Sequence, residues 1–386
     1  MDAPKTITQR VEEQKRLNLT DYGFIPSMLS AIDIEMAGAQ EDYIPARVIA
    51  VHKERHNLIS EHGECLGRLK SGSYFDALSD EIPTTGDFVL IKYNSSGDSQ
   101  ILKTLPRHSR FVRSNFSGHA AGYVKTILEQ VVAANFDFVF ILTSLNQDFS
   151  VNRIMRYLTQ TYQSGAQPVV ILTKADLSPD FEVLVAEVQK AAPNVPVHAV
   201  SSHTGFGMEA VNAYLQPGKT VVFLGMSGVG KSSLLNALME QEVMAVKAIR
   251  EGDSRGRHTT TYRRLFMLPT GAMVIDTPGM RELGLFDAEE GISAGFSDVE
   301  NLFPLCRFSD CQHKTEPGCA VLAALGDGSL AQERWQLYLA QMQEKRFVDG
   351  KAAYLANKKT RDKSIAMWSK QMKKKNGGFK DEYFKD

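Results

Sequence analysis

Three clusters of residues in this chain have the types and spacing that chemistry needs. The stretch "GMSGVGKSS", 225–233, fits G-x-x-x-x-G-K-[ST] at Gly225, Gly230, Lys231 and Ser232. The glycines let the backbone bend until successive N–H groups point into one concavity, so Met226, Ser227, Gly228, Val229 and Ser233 belong to the cradle through their backbone. Lys231 can reach the β- and γ-phosphates of a nucleotide, and the Ser232 hydroxyl can ligate Mg2+. The apolar run "TVVFL" before the loop and the periodic "LLNALME" after it supply the strand and helix that the pattern requires. Farther on, "MVIDTPGM" ends an apolar run in Asp276, whose carboxylate can hold Mg2+ through water, and Gly279 can offer its N–H to a γ-phosphate. Between them lies "GDSRGRHTTTYRRL". There, Thr259 or Thr260 can complete the Mg2+ shell when the γ-phosphate is present, and the sequence does not choose between them.

The second cluster is "LTKADL". An ionised Asp176 only accepts hydrogen bonds. It matches the two donors on one edge of guanine and has no such pair to meet on adenine. The stem of Lys174 can lie along the base, and Thr173 stands where many such motifs carry Asn. In "AVSSHTG", Ser201 and Ser202 end a strand where backbone N–H groups can meet the guanine O6. The expected ligand is therefore GTP or GDP with Mg2+. The guanine reader precedes the phosphate cradle, the reverse of the usual order. A sheet is defined by which strands are neighbours, so joining the old ends and cutting elsewhere preserves the site. The chain thus reads as a circular permutation, with the switch region beside an appended module on each side.

The third cluster, "CRFSDCQHKTEPGC", holds Cys306, Cys311, His313 and Cys319. Three thiolates and one imidazole form a closed tetrahedral set for one structural Zn2+. Cys65 stands apart as a small core residue.

These clusters need elements to hold them. "ARVIAVHKE", "GECLGRLKSG", "GDFVLIKY" and "QILKTL" are short β-forming runs parted by turn chemistry, which suggests an OB-like barrel of about five strands. From about Val131 strand and helix patterns alternate, as in a mostly parallel sheet covered by helices. The expected fold is thus multidomain: an N-terminal extension (1–43), an OB-like β-barrel (44–113), a circularly permuted P-loop GTPase α/β domain (114–290), a mostly helical zinc-binding domain (291–350) and a basic tail (351–386). The 386 residues carry 43% hydrophobic and 23% charged residues with a net charge of −1, so any nucleic-acid surface must come from local clustering. One such cluster interleaves Arg68, Lys70, Lys92, Lys103, Arg107, Arg110 and Arg113 with Tyr74, Phe88, Tyr93 and Phe111. No stretch has the length of a membrane span and the N-terminus lacks a secretory pattern, so a cytoplasmic protein is expected.

Together these motifs, with "PTTGDFV", "LPRHSRFVRSN" and "AANFDFVFILTSLNQDFSVNRIMRYL", resemble the circularly permuted GTPases of the RsgA (YjeQ) family over most of residues 44 to about 345. The resemblance implies binding to the small (30S) ribosomal subunit and its 16S rRNA, as a monomer and without a membrane. It also implies late subunit maturation as the task, with hydrolysis stimulated by the subunit and coupled to release. Met280 stands where many GTPases have a water-orienting Gln, and the resemblance makes His258 the candidate catalytic replacement. A GTP-gated rRNA-binding checkpoint with little hydrolysis is the alternative. A zinc-dependent nucleic-acid module with a vestigial nucleotide site is disfavoured by the intact Lys231, Ser232 and Asp276.

Overall fold

A computed structural model of the chain describes residues 17–30, 43–52, 55–70, 81–115, 128–145, 149–244, 263–276 and 288–347. His258, Thr259, Thr260, Gly279, Met280, Tyr74 and the tail from 351 lie outside the described residues.

The barrel is built from β1 (Tyr43–His52), β2 (Arg55–Ser60), β3 (Gly63–Leu69), β4 (Phe88–Lys92) and β5 (Ser99–Thr104). β1 pairs with β2, β2 with β3, β3 with β5, β5 with β4, and β4 returns to β1, which closes the ring. Period-two alternation turns Ala46, Val48, Leu58, Val89, Ile91 and Ile101 inward as its core. β2 carries "RHNLIS", whose polar start hides it among turn residues in the sequence. A two-stranded ribbon, β6 (Arg110–Asn115) with β7 (Leu128–Ala134), then leads toward the nucleotide-binding sheet.

That sheet comprises β8 (Phe138–Ser144), β9 (Gln167–Thr173), β10 (Val197–Val200), β11 (Thr220–Leu224), β12 (Arg264–Met267) and β13 (Met273–Asp276). Its order is β10-β9-β8-β11-β13-β12, all parallel except β12. β11 inserts between β8 and β13, so neighbours in space restore what chain order rearranges. Alternate residues feed two cores. Val139, Ile141, Val222 and Ile275 pack with α1 (Val151–Gln163) and α2 (Phe181–Ala191). Phe140, Leu142, Phe223 and Val274 pack with α3 (Met208–Asn212) and α4 (Lys231–Met239).

Barrel and sheet share hydrogen bonds. β1 lies against β12 at Ala50 and Arg264. Beside that seam Arg47 is fully buried. Its guanidinium donates to Asn135 O and Thr220 Oγ1, both at 2.9 Å, to Gly86 O, and to Tyr22 O in the N-terminal turn. Burial pulls Arg47 down to about 10, opposed by Asp137 and Asp87, so it stays charged at neutral pH. Arg107 forms a bidentate pair with buried Asp87, each bond 2.7 Å. Gly86 has φ +96°, and a Cβ there would lie 2.1 Å from Ala134 O. These contacts correct the expected nucleic-acid cluster at Arg107, which is spent on Asp87; as strand alternation requires of some of its aromatics, Phe88 and Phe111 are core.

On the other side of the sheet, α5 (Glu289–Gly295), α6 (Ser297–Glu300), α7 (Ala320–Asp327) and α8 (332–347) form the helical region. α5 meets α1 at Gly291, whose N–H donates to Gln163 Oε1 at 2.8 Å. A Cβ on Gly291 would lie 2.2 Å from Thr159 O, so only glycine permits this approach. Arg334 of α8 pairs with Asp298 and donates to Ala191 O at 2.7 Å, which ties α8 to the end of α2. No helix among the described residues is long and apolar enough to cross a membrane.

Candidate functional site

Because β8, β9, β10, β11 and β13 run parallel, their C-terminal ends form one rim, where open α/β sheets bind ligands. The register aligns Thr173 with Ser144 and with Val200, and Leu224 with Ile141. The rim therefore collects Thr173, Ser201, Gly225 and Asp276.

The phosphate cradle begins where β11 stops. A Cβ on Gly225 would lie 2.5 Å from Leu142 O, so the loop can leave the sheet there only as glycine. Gly230, at φ +97°, caps α4, and the loop before it is partly open to solvent at Ser227 and Gly228. Lys231 Nζ donates to Gly225 O and Met226 O, both at 2.6 Å, so the lysine lies across the concavity its loop encloses. Ser232 and Ser233 open the helix, half-buried. N–H groups at the start of a helix favour an anion.

The guanine-reading segment touches this loop directly. Thr173 Oγ1 donates to Val229 O at 2.5 Å, and Lys174 Nζ to Gly228 O at 2.9 Å. Lys174 has φ +63°, a costly conformation for a side chain of this kind, which aims its stem over the loop. A Cβ on Gly230 would lie 3.7–3.9 Å from the Thr173 side chain, an ordinary contact, so it is the φ of +97° that favours glycine there. Asp176 is exposed in the short turn Ala175–Leu177. Ser201 is buried. Its N–H is spent on Phe206 O, and its hydroxyl accepts from His203 N and Thr204 N. Ser201 thus organises its loop, and its N–H is not available to a ligand. Asp276 is buried at the end of β13.

A cavity of about 600 Å³ opens at the opposite, N-terminal ends of the strands, among Arg47, His108, Asp137 and Lys219. It belongs to the barrel junction rather than to the phosphate rim.

Cys306, Cys311, His313 and Cys319 place their ligand atoms within 4.8 Å of one another. Cys306 Sγ and Cys319 Sγ stand 3.6 and 3.5 Å from His313 Nδ1, and 3.9 Å from each other. A tetrahedral zinc with its usual bond lengths requires roughly 3.6 Å between S and N and roughly 3.8 Å between sulfurs. The set fits one such ion. Burial, then the neighbouring Cys319 and Cys306, push the Cys311 thiol up to about 11, so the sulfurs cannot all ionise unaided, whereas a dication would hold three thiolates. Burial keeps His313 below its ordinary value, the neutral state a ligand needs.

Two features that sequence reading missed hold this set. The Glu316 carboxylate accepts from the N–H groups of Gln312, Lys314 and Thr315, which fixes the loop between ligands and draws Glu316 down to about 2. The His313 ring stacks on Phe303 at 4.5 Å and meets Trp335 edge-on at 5.9 Å. The glutamate's signal was its place within the cysteine spacing.

On the barrel's outer face Lys70, Lys92 and Lys103 are exposed, and Tyr93 stacks on His62 at 4.2 Å. Arg55 and Arg68 share Asp98.

Comparison with known proteins agrees with this architecture. The family model "RsgA GTPase" matches residues 104–286. "Small ribosomal subunit biogenesis GTPase RsgA 1" of Listeria monocytogenes is 45% identical over 298 residues, covering 77% of this chain and 82% of its own. "Small ribosomal subunit biogenesis GTPase RsgA 2" of Vibrio vulnificus is 39% identical over 349 residues, covering 90% and 93%. Among solved structures, YjeQ from Thermotoga maritima superposes with a TM-score of 0.60 at 26% identity, covering 78% of this chain and 98% of its own. YloQ, described as a circularly permuted GTPase, shares the fold with a TM-score of 0.57 at 22% identity, covering 80% and 96%. With a glycine-rich loop hydrogen-bonded to the T-K-x-D segment on a permuted sheet, this chain belongs to the RsgA family of GTPases and is a GTP-hydrolysing enzyme.

Proposed function

We propose that this GTPase binds the small ribosomal subunit and its 16S rRNA and assists late maturation. Hydrolysis is stimulated by the subunit and coupled to release, and the chain acts as a monomer in the cytoplasm. The names of its relatives support the task. The observation that carries the mechanism is the seam at Arg264. This residue pairs with Asp276 on one side and with Ala50 of the barrel on the other. The strand that leaves the threonine-rich switch is thus hydrogen-bonded to both the magnesium strand and the barrel, so a change in the switch has a short path to the RNA-facing domain.

In this reading, residues 225–233 cradle the phosphates and Lys231 reaches the β- and γ-oxygens. Thr173, Lys174, Asp176 and Ser202 read guanine, with Ser201 shaping the loop. Ser232, one of Thr259 and Thr260, and Asp276 through water would hold Mg2+, which neutralises phosphate charge when bound. Gly279 meets the γ-phosphate, and His258 orients the attacking water in place of the residue that Met280 cannot replace. Cys306, Cys311, His313 and Cys319 hold one structural Zn2+.

The test is GTP hydrolysis by purified protein with and without purified small subunits, with ATP as control. Stimulation by the subunit that fails with ATP and is lost in His258→Ala supports the reading. GTP binding with no stimulation would instead favour a GTP-gated checkpoint, the reading that Met280 favours.

A further inference from the structure

Residues 17–24 precede the barrel, yet they are built into the junction between barrel and sheet. Asn18 caps the single turn Leu19–Tyr22 by accepting from Thr20 N, and Gly23 ends the turn at φ +77°. Leu19 and Phe24 are buried, and the Phe24 ring meets Phe88 of the barrel at 5.5 Å. Leu17 N–H donates to Glu61 O at 3.0 Å, which fastens the segment to the turn between β2 and β3. On its other side the segment meets the nucleotide-binding sheet. A Cβ on Gly23 would lie 2.6 Å from Gly218 O, in the turn that leads into β11. β11 in turn runs into the phosphate cradle.

Arg47 joins these three bodies. Its five N–H groups find five partners on five segments. They are Tyr22 O in the N-terminal turn, Gly86 O before β4, Asn135 O before β8, Thr220 Oγ1 at the start of β11 and Met273 Sδ at the start of β13. All five are neutral atoms, and the Phe88 ring lies 4.9 Å from the guanidinium carbon. A buried cation held in this way needs its dipoles in place. If the barrel tilts on the sheet, several of these bonds open together and leave the charge unpaired. The junction therefore resists partial movement and favours one arrangement over a range of them.

We propose that Arg47 and residues 17–24 form a clasp that sets the barrel in one orientation on the root of β11, and that the small subunit speeds hydrolysis only while this clasp is closed. Arg47 is fully buried and touches neither nucleotide nor subunit, so it is a positioning residue. The inference rests on the small-subunit reading above and gives it a second joint. A subunit that holds the barrel acts on the nucleotide rim only through what connects the two domains. The seam at Arg264 reaches the end of β13, and the clasp fixes the opposite end of β11.

The experiment measures GTP hydrolysis by the full chain against the concentration of purified small subunits, for the parent, Arg47→Met and Gly23→Ala. Methionine keeps an unbranched side chain and removes all five donors. Alanine at Gly23 pushes the turn off Gly218 and leaves Arg47 in place. In both variants basal hydrolysis and GDP affinity stay within about twofold of the parent, while the maximal stimulated rate falls by roughly 5- to 150-fold. The subunit concentration giving half the effect moves less than that rate, because the barrel's outer face is unchanged. The double variant loses no more than Arg47→Met alone, as for two parts of one device. Hydrogen exchange reads the clasp without subunits: the amides of residues 19–24 exchange about tenfold faster or more in Arg47→Met. A folded variant with parental stimulation overturns the proposal. So does unchanged exchange in Arg47→Met, or a basal rate that falls together with the stimulated one. If Arg47→Met does not fold, Gly23→Ala decides; if neither folds, the junction belongs to the folding core and the proposal fails. If the parent itself shows no stimulation, the small-subunit reading has failed, an outcome that the exchange measurement separates from failure of the clasp.

Discussion

Replacing Thr173 by Val tests whether the latch between guanine reader and phosphate loop matters. The substitution keeps the branched shape and removes only the hydroxyl. That hydroxyl donates to Val229 O at 2.5 Å. Both residues are buried, so the Val229 carbonyl loses a partner that water does not readily replace. Leaving a buried acceptor unpaired costs about 1–3 kcal/mol. The penalty falls on the conformer in which Val229 faces Thr173, the same conformer that presents the cradle's N–H groups. Apparent affinity falls with the population of that conformer. At about 1.4 kcal/mol per tenfold, GTP and GDP should bind roughly 5- to 150-fold more weakly. Thr173→Ser retains the donor and should bind within about fivefold of the parent chain, since no more than about 1 kcal/mol of packing is at stake. Preference for guanine over adenine should persist in both, because Asp176 is untouched. Titration with fluorescent GDP and GTP, with ATP as competitor, reads all of this. If Thr173→Val is folded and binds guanine nucleotides within twofold of the parent chain, the latch does not shape the cradle and the reasoning is wrong.

Other perturbations have equally definite outcomes. Gly291→Ala places a methyl 2.2 Å from Thr159 O, so α5 must leave α1. A cost of about 1–3 kcal/mol is expected, seen as a lower melting temperature of the full chain. Removing zinc with a chelator should release one equivalent and change the near-UV signal of Trp335, which packs edge-on against His313. Glu316→Gln should release zinc faster, because it weakens the acceptor that fixes the ligand loop. Burial holds His56 below its ordinary value of 6.5, a pull that outweighs the backbone groups of Pro83 and Gly67 beside its ring. A lowered folded-state value means the unfolded chain takes up the proton first. Stability should be full above about pH 6.5 and fall as the solution is acidified below it. His56→Leu should flatten that slope in urea melts between pH 7.5 and 5.

The phosphate cradle, the guanine reader and the cysteine cluster were legible because each is a contiguous stretch whose chemistry lies in its own residues. The latch was not, since Thr173 and Val229 are 56 positions apart and meet only when β9 and β11 take their places. The sequence marked Thr173 as a departure from Asn. The structure shows its hydroxyl donating to the loop at Val229 O. Arg47 was illegible for a different reason. Period two turns it away from Ala46 and Val48, toward what would be solvent around a lone barrel. It is buried because the nucleotide-binding sheet covers that face, and its partners range from Tyr22 to Met273. The same blind spot made Arg107 look like an RNA contact. Its carboxylate partner, Asp87, was in view within "PTTGD", but the pairing needs the barrel to close.

The seam between β1 and β12 also bears on how the molecule avoids sticking to itself. Without the barrel, β12 would be the rim of the nucleotide-binding sheet, with a row of open N–H and C=O groups ready to recruit another chain. The barrel's first strand covers the start of that row, where Ala50 faces Arg264. The barrel therefore protects the sheet as well as extending its reach. A version of this chain cut before β6 would lose that protection, and its sheet would have an open edge on which copies could pair.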